Sequence, residues 1–206
     1  MNLPNKITLS RIFMIPVFVL FFFLDVVPFK YGIAALIFAL AACTDFIEGY
    51  IARKYKLVTN LGKFLDPIAD KVLVSTAMIL MLVMKDGVFA TLGKASDGVY
   101  IATAVCICVI MARELIISAF RQIAAVNGVV MAADKLGKFK TIFQDIAIFV
   151  IIFAGGISDI MPANSTVAWD TYVLIGGLGL FAIATILTIW SGISYVVKNR
   201  KVLKDA

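Results

Sequence analysis

The sequence predicts an all-α integral membrane protein: six transmembrane helices, an N-terminal juxtamembrane segment, and a cavity that opens to the cytoplasm. Three observations carry this. Of 206 residues, 62% are hydrophobic and only 16% charged, with a mean hydropathy of +1.02, where a soluble domain is about 45–50% apolar and about 25% charged. The apolar residues gather in runs near the roughly 20 that a bilayer-spanning helix needs. Short pieces rich in Pro, Gly, Asn and charge separate those runs. No linker, low-complexity tract or repeat divides the chain, so residues 1–206 read as one domain.

The first span, about 8–27, becomes apolar after Arg11 and is rich in Phe (Phe13, Phe18, Phe21, Phe22, Phe23), which are expected to face lipid or acyl chains. It lacks a small-residue cleavage site and further spans follow it, so it is expected to stay in the membrane. A turn at Asp25–Lys30 with Pro28 leads to the second span, 31–54. The polar stretch Lys54–Lys63 precedes the third, 65–84, and Lys85–Asp97, with Gly87 and Gly93, precedes the fourth, 98–126. Asn127–Gly137 leads to the fifth, 138–158, and Ser158–Asp170, with Pro162 and Asn164, to the sixth, 168–197. In the sixth span, Trp169 and Trp190 suit interfacial or packing positions, and Gly176, Gly177 and Gly179 are expected to permit close helix packing.

Six spans put both termini on one side. If that side is the cytoplasm, only Lys30, Lys85 and Lys94 of the 19 basic residues fall outside it, while Asp25, Asp86, Asp97, Asp159 and Asp170 lie there. The net charge of +6 is then a property of the cytoplasmic face, including the basic tail Lys198–Lys204, and suits anionic lipid rather than nucleic acid. Several charge-free cores are too short to cross a bilayer: Ile12–Leu24, Tyr31–Thr44, Gly98–Ala112 and Ile146–Ser158. Charges must therefore enter the cytoplasmic leaflet, and ionisable groups at that depth usually line a water-filled cavity.

There is no His, which removes Ser-His and Cys-His nucleophile pairs and imidazole metal sites. Cys43, Cys106 and Cys108 lie in apolar runs and are expected to behave as small hydrophobes. Acid–base and metal chemistry is left to carboxylates. Asp45 and Glu48 are three residues apart at the end of the second span, with Gly49 and Ala52 extending their stripe; Asp66 and Asp70 are four apart at the start of the third. Four carboxylates meeting across one short loop would repel without a cation, and an all-oxygen set suits Mg²⁺ or Mn²⁺. Helix capping and pairing with Arg53, Lys63 or Lys71 is the plainer reading; Pro67 after Asp66 does suit a first helical turn. Capping accounts for one acid, not four.

The pattern Asp45-x2-Glu48-Gly49-x2-Ala52-Arg53-x8-Gly62-x3-Asp66-x3-Asp70 resembles the signature of the CDP-alcohol phosphatidyltransferases, six-helix membrane enzymes. Asn2–Arg11, Asn60–Lys71, the pair Arg113-Glu114 and Lys135–Thr141 are similar to bacterial members that make phosphatidylglycerophosphate. One position departs: the family pattern has Asp where this chain has Glu48, one methylene longer. The resemblance implies transfer of a phosphatidyl group from CDP-diacylglycerol to the sn-1 hydroxyl of glycerol 3-phosphate, with release of CMP. It further implies two Mg²⁺ or Mn²⁺ ions on Asp45, Glu48, Asp66 and Asp70, with Asp70 also the base, and a homodimer. Candidate contacts to CDP-diacylglycerol are then Asn5, Thr8, Gly49, Arg53 and Thr59. The acceptor's phosphate needs cations, for which Arg113, Arg121, Lys135 and Lys138 are candidates, while the positions of Arg121 and of nearby Lys140 also suit ordinary positive-inside charges. Arg113 interrupts an apolar helix; it could instead pair with Asp145 or, less favourably at i,i+1, with Glu114. Inositol phosphate or phosphatidylglycerol as acceptor keeps the same chemistry. A small transporter or cation channel could also hold four acids in a cytoplasmic vestibule, although transporter sites favour the midplane.

Overall fold

The structure, a computed structural model, describes residues 3–55, 60–126, 135–161 and 168–198. Among them are six α-helices, one short 3-10 helix and no strand. The helices are α1 (Leu3–Phe23), α2 (Lys30–Lys54), α3 (Asn60–Val83), α4 (Ser96–Val126), α5 (Lys135–Ile160) and α6 (Trp169–Lys198), and the 3-10 helix Val88–Ala95 joins α3 to α4. Each expected span corresponds to one helix. The juxtamembrane segment is not a separate element, because α1 runs unbroken from Leu3. That helix stops at Phe23 rather than near 27, where the turn toward Pro28 takes over.

Five helices contain stretches long and apolar enough to cross a membrane, making this a multi-pass membrane protein. The helix outside this group is α3: every 18-residue stretch of it contains Asp66, Asp70 and Lys71. Its packing explains how such a helix is tolerated. The other helices form a chain of neighbours, with α1 on α2, α2 on α5, α5 on α6 and α6 on α4; α3 packs against α1, α2, α4 and α5. Much of its polar half therefore meets protein rather than lipid.

The core is a layer of Phe, Met, Ile and Ala, including Phe18, Phe22, Phe38, Met78, Met81, Met84 and Ile148. Phe18 and Phe22 thus do not face lipid as expected. They stand one turn apart on the face of α1 against α2, with edge-on contacts to each other and from Phe22 to Tyr31. Phe13 and Phe23 do point outward. The expected glycine packing in α6 holds at one position of three: a Cβ on Gly177 would lie 2.7 Å from Ile151, whereas Gly176 and Gly179 look onto open space. A closer approach lies elsewhere. A Cβ on Gly156 would fall 2.4 Å from the backbone of Gly32, so the two glycines let the α2 and α5 backbones approach closely there. All three cysteines are free thiols.

Helix direction sets where the polar residues go. The N-terminal parts of α1, α3 and α5 and the C-terminal parts of α2, α4 and α6 share one end of the bundle, and that end holds Arg11, Asp45, Glu48, Asp66, Asp70, Arg113, Glu114 and Lys140.

Candidate functional site

On α1, Asn5, Thr8 and Arg11 recur every three residues and are all buried, a polar stripe on an otherwise apolar helix. Arg11 has no exposed surface and is bound by three acids. Its Nη1 lies 2.9 Å from Asp45 Oδ1 and 3.4 Å from Asp66 Oδ1, and its Nη2 lies 3.4 Å from Glu48 Oε2. Its Nε donates to Thr44 Oγ1 at 3.3 Å. The Thr8 hydroxyl donates to Glu48 Oε1. The Glu48 carboxylate thus meets Thr8 and Arg11 and ties the first two helices together.

Asp70 completes this acidic corner and interacts through space with Asp45, Asp66 and Arg11. As placed, no three of these acids close around a single point among the described residues. The donor set nevertheless fits a hard divalent cation. All its ligand atoms are carboxylate oxygens, and a guanidinium gathered by three of them shows that the corner requires positive charge. Asp45, Glu48, Asp66 and Asp70 carry the oxygens that such an ion would need.

Asp70 also borders a second region. A cleft of about 520 Å³ between α3, α4, α5 and α6 is lined by Asp70, Lys71, Arg113, Arg121, Lys138 and Tyr195, among others. Three of the expected phosphate-binding residues therefore share one cleft with the expected base. Arg113 Nη2 donates to Ser191 Oγ on α6 at 2.8 Å, and its Nη1 lies 3.3 Å from Glu114 Oε1. Of the two partners considered for Arg113, the one expected to be poorer, Glu114, is the one it meets among the described residues: the flexible ends of two long side chains reach what their Cβ directions do not. Arg113 Nε is buried without a hydrogen-bond partner. Arg121 donates to Tyr195 OH at 3.2 Å and lies 5.3 Å from that ring's centre.

Lys140 departs furthest from expectation. It is buried, not an ordinary surface charge, and pairs with Glu114. Beside it a smaller cavity of about 90 Å³ extends the cleft inward past Asp70, lined by Ser75, Met78, Glu114, Lys140, Thr141 and Gln144 among others. Lys71 reaches across to Ser118 on α4.

Asn5, Thr8 and Gly49 lie on α1 and α2 beside the acids. Thr59 lies outside the described residues, as do the side chains of Arg53 and Lys135. Sequence reasoning gave Arg11, Gln144 and Tyr195 no role in the site. For Arg11 a signal existed, since it continues the spacing of Asn5 and Thr8. Tyr195 and Gln144 had none, because an isolated polar residue in an apolar helix does not show which neighbour it meets.

A profile of the CDP-alcohol phosphatidyltransferase family matches residues 1–197. Among curated relatives, a protein of Shigella flexneri serotype 5b is 38% identical over 208 residues, covering 99% of this chain and 98% of its own. One of Escherichia coli K12 is 37% identical with the same coverage, and one of Bacillus subtilis 36% identical over 221 residues, covering 100% of this chain and 98% of its own. All three carry the name CDP-diacylglycerol–glycerol-3-phosphate 3-phosphatidyltransferase.

Proposed function

The chain belongs to the CDP-alcohol phosphatidyltransferase family, and we propose that it transfers the phosphatidyl group of CDP-diacylglycerol to the sn-1 hydroxyl of glycerol 3-phosphate, giving phosphatidylglycerophosphate and CMP. The observation that carries this reading is the shared position of Asp70, which borders both the acidic corner and the basic cleft. A reaction that joins an anionic nucleotide lipid to an anionic alcohol needs a base between two sites that each attract negative charge.

The chain's own residues supply the rest. Arg113, Arg121 and Lys138 hold the acceptor's phosphate, with the unpartnered Arg113 Nε available for an oxygen. Asp70 takes the proton of the sn-1 hydroxyl as that oxygen attacks the lipid-bearing β-phosphorus. The phosphorus–oxygen bond to the cytidylyl phosphate breaks, and CMP leaves with the bridging oxygen. Asp45, Glu48, Asp66 and Asp70 would hold Mg²⁺ or Mn²⁺, two ions by family resemblance, whose charge would neutralise the pyrophosphate and the departing CMP. Asn5, Thr8, Gly49, Arg53 and Thr59 contact the CDP moiety.

In the membrane, α3 acts as the sixth span, shielded by its neighbours. Both termini and the site face the cytoplasm, in keeping with the basic residues at the site's end of the bundle, and the chain works as a homodimer in the cell membrane.

The test is CMP release by the purified protein in detergent, given CDP-diacylglycerol and Mn²⁺ or Mg²⁺. Release should require glycerol 3-phosphate, and release with inositol phosphate instead would reassign the acceptor. Arg113→Met should raise the KM for glycerol 3-phosphate about 30-fold, as loss of a charged hydrogen bond of about 2 kcal/mol requires. Its effect on CDP-diacylglycerol should be small.

A further inference from the structure

Three buried side-chain polar atoms have no hydrogen-bond partner among the described residues: Arg113 Nε, Gln144 Oε1 and Asp145 Oδ1. Arg113 lines the cleft, Gln144 its inner cavity, and Asp145 a different groove between α2 and α5. Arg113 is assigned above to the acceptor's phosphate and Asp145 lines a separate apolar groove, which leaves Gln144 as the unassigned one on the inner cavity. Its side chain is 2% exposed, its Nε2 meets only the weak acceptor Met78 Sδ at 4.0 Å, and its oxygen meets nothing. A buried amide oxygen without a donor is costly, and a hydroxyl carried by a ligand in the adjoining cavity would supply that donor.

The inner cavity limits what that ligand is. Its volume of about 90 Å³ matches a few water molecules or a short polyol fragment. It shares Asp70, Lys71, Glu114 and Thr141 with the outer cleft, so a molecule whose phosphate rests on Arg113 and Arg121 can extend past Asp70 into it. The walls are mixed: Val74, Met78, Met111 and Leu115 are apolar, while Ser75, Gln144 and the Lys140–Glu114 pair are polar. Such a pocket suits a carbon chain bearing one hydroxyl beside the reacting one.

We infer that Gln144 is a specificity-determining residue that accepts a hydrogen bond from the secondary, sn-2 hydroxyl of the acceptor while Asp70 serves the sn-1 hydroxyl. This rests on the acceptor proposed above. Lys140, held by Glu114, fixes the rim of the pocket one helical turn from Gln144.

The test compares two acceptors with the full-length protein in detergent. 3-Hydroxypropyl phosphate keeps the phosphate and a terminal hydroxyl but lacks the middle one. Wild type should prefer glycerol 3-phosphate about 100-fold in kcat/KM, because a site built to pair a hydroxyl rejects the analogue without it. Gln144→Met, similar in length, should lower kcat/KM for glycerol 3-phosphate about 30-fold and change the analogue less than about threefold. Gln144→Glu retains an acceptor oxygen and should retain the preference; it carries the test if Gln144→Met does not accumulate. Equal losses for both acceptors in Gln144→Met, a wild type without preference, or a Gln144→Glu protein that loses it would overturn the inference. If wild type releases CMP with neither acceptor, the proposed function itself fails.

Discussion

The two ends of the bundle handle charge in opposite ways. At the end away from the site, ion pairs are local and one-to-one at the surface: Lys30 with Asp25, and Lys85 with Asp97. At the site end the charges are segregated. Three acids surround the buried Arg11, while around the cleft one acid, Glu114, serves Lys140 and Arg113. Surface pairs contribute little and require nothing further. A segregated end is incomplete by itself, with negative charge in excess on one side of Asp70 and positive charge on the other. The contrast teaches that the site is distinguished by how unequally its charges are matched rather than by how many it has.

The largest effect expected from breaking this segregation is at its boundary. Asp70→Asn should lower kcat by about 10³-fold or more, since it would remove both the proposed base and a proposed anionic metal ligand. Thermal stabilisation by CDP in the purified protein should persist. Turnover within tenfold of wild type would remove Asp70 from the chemistry.

Next comes the acidic corner. Arg11→Met leaves Asp45, Glu48 and Asp66 without their shared cation and should destabilise the protein by about 3 kcal/mol in the presence of a chelator. Added Mn²⁺ should then raise the thermal midpoint more in the variant than in wild type. An unchanged midpoint would show that Arg11 does not hold these acids. The smallest effect belongs to the opposite end. Lys85→Ala breaks an exposed pair and should change stability by less than about 0.5 kcal/mol, with no effect on turnover. A large loss there would show that the two ends are not different in kind.

Much of this was legible in the sequence. Hydrophobic runs of about 20 residues give the helices, because in lipid the backbone must satisfy itself within the segment. The spacing of Asp45, Glu48, Asp66 and Asp70 placed acids on two facing stripes, and these stripes do converge, on Arg11. The error on Lys140 has an identifiable cause. A lysine near a span end looks like a topology signal, and only Glu114, 26 residues away on another helix, makes it a buried partner. Phe18 and Phe22 differ from the expected lipid-facing position, whereas Phe13 and Phe23 keep it: beyond Arg11 the helix is apolar all round, and only the neighbouring helices show which side meets protein.

The sequence by itself determined an all-helical membrane protein, the acids and their spacing, and a chemistry without His. Tertiary structure alone decided that Glu48 turns to α1, that Arg113 lies against Ser191, and that Asp70 stands between the acidic corner and the basic cleft. The physical reason is range. Helix formation and stripe geometry follow from residues three or four apart, but the partner of a buried charge is set by which helices pack together, and in a largely apolar bundle that is decided by shape.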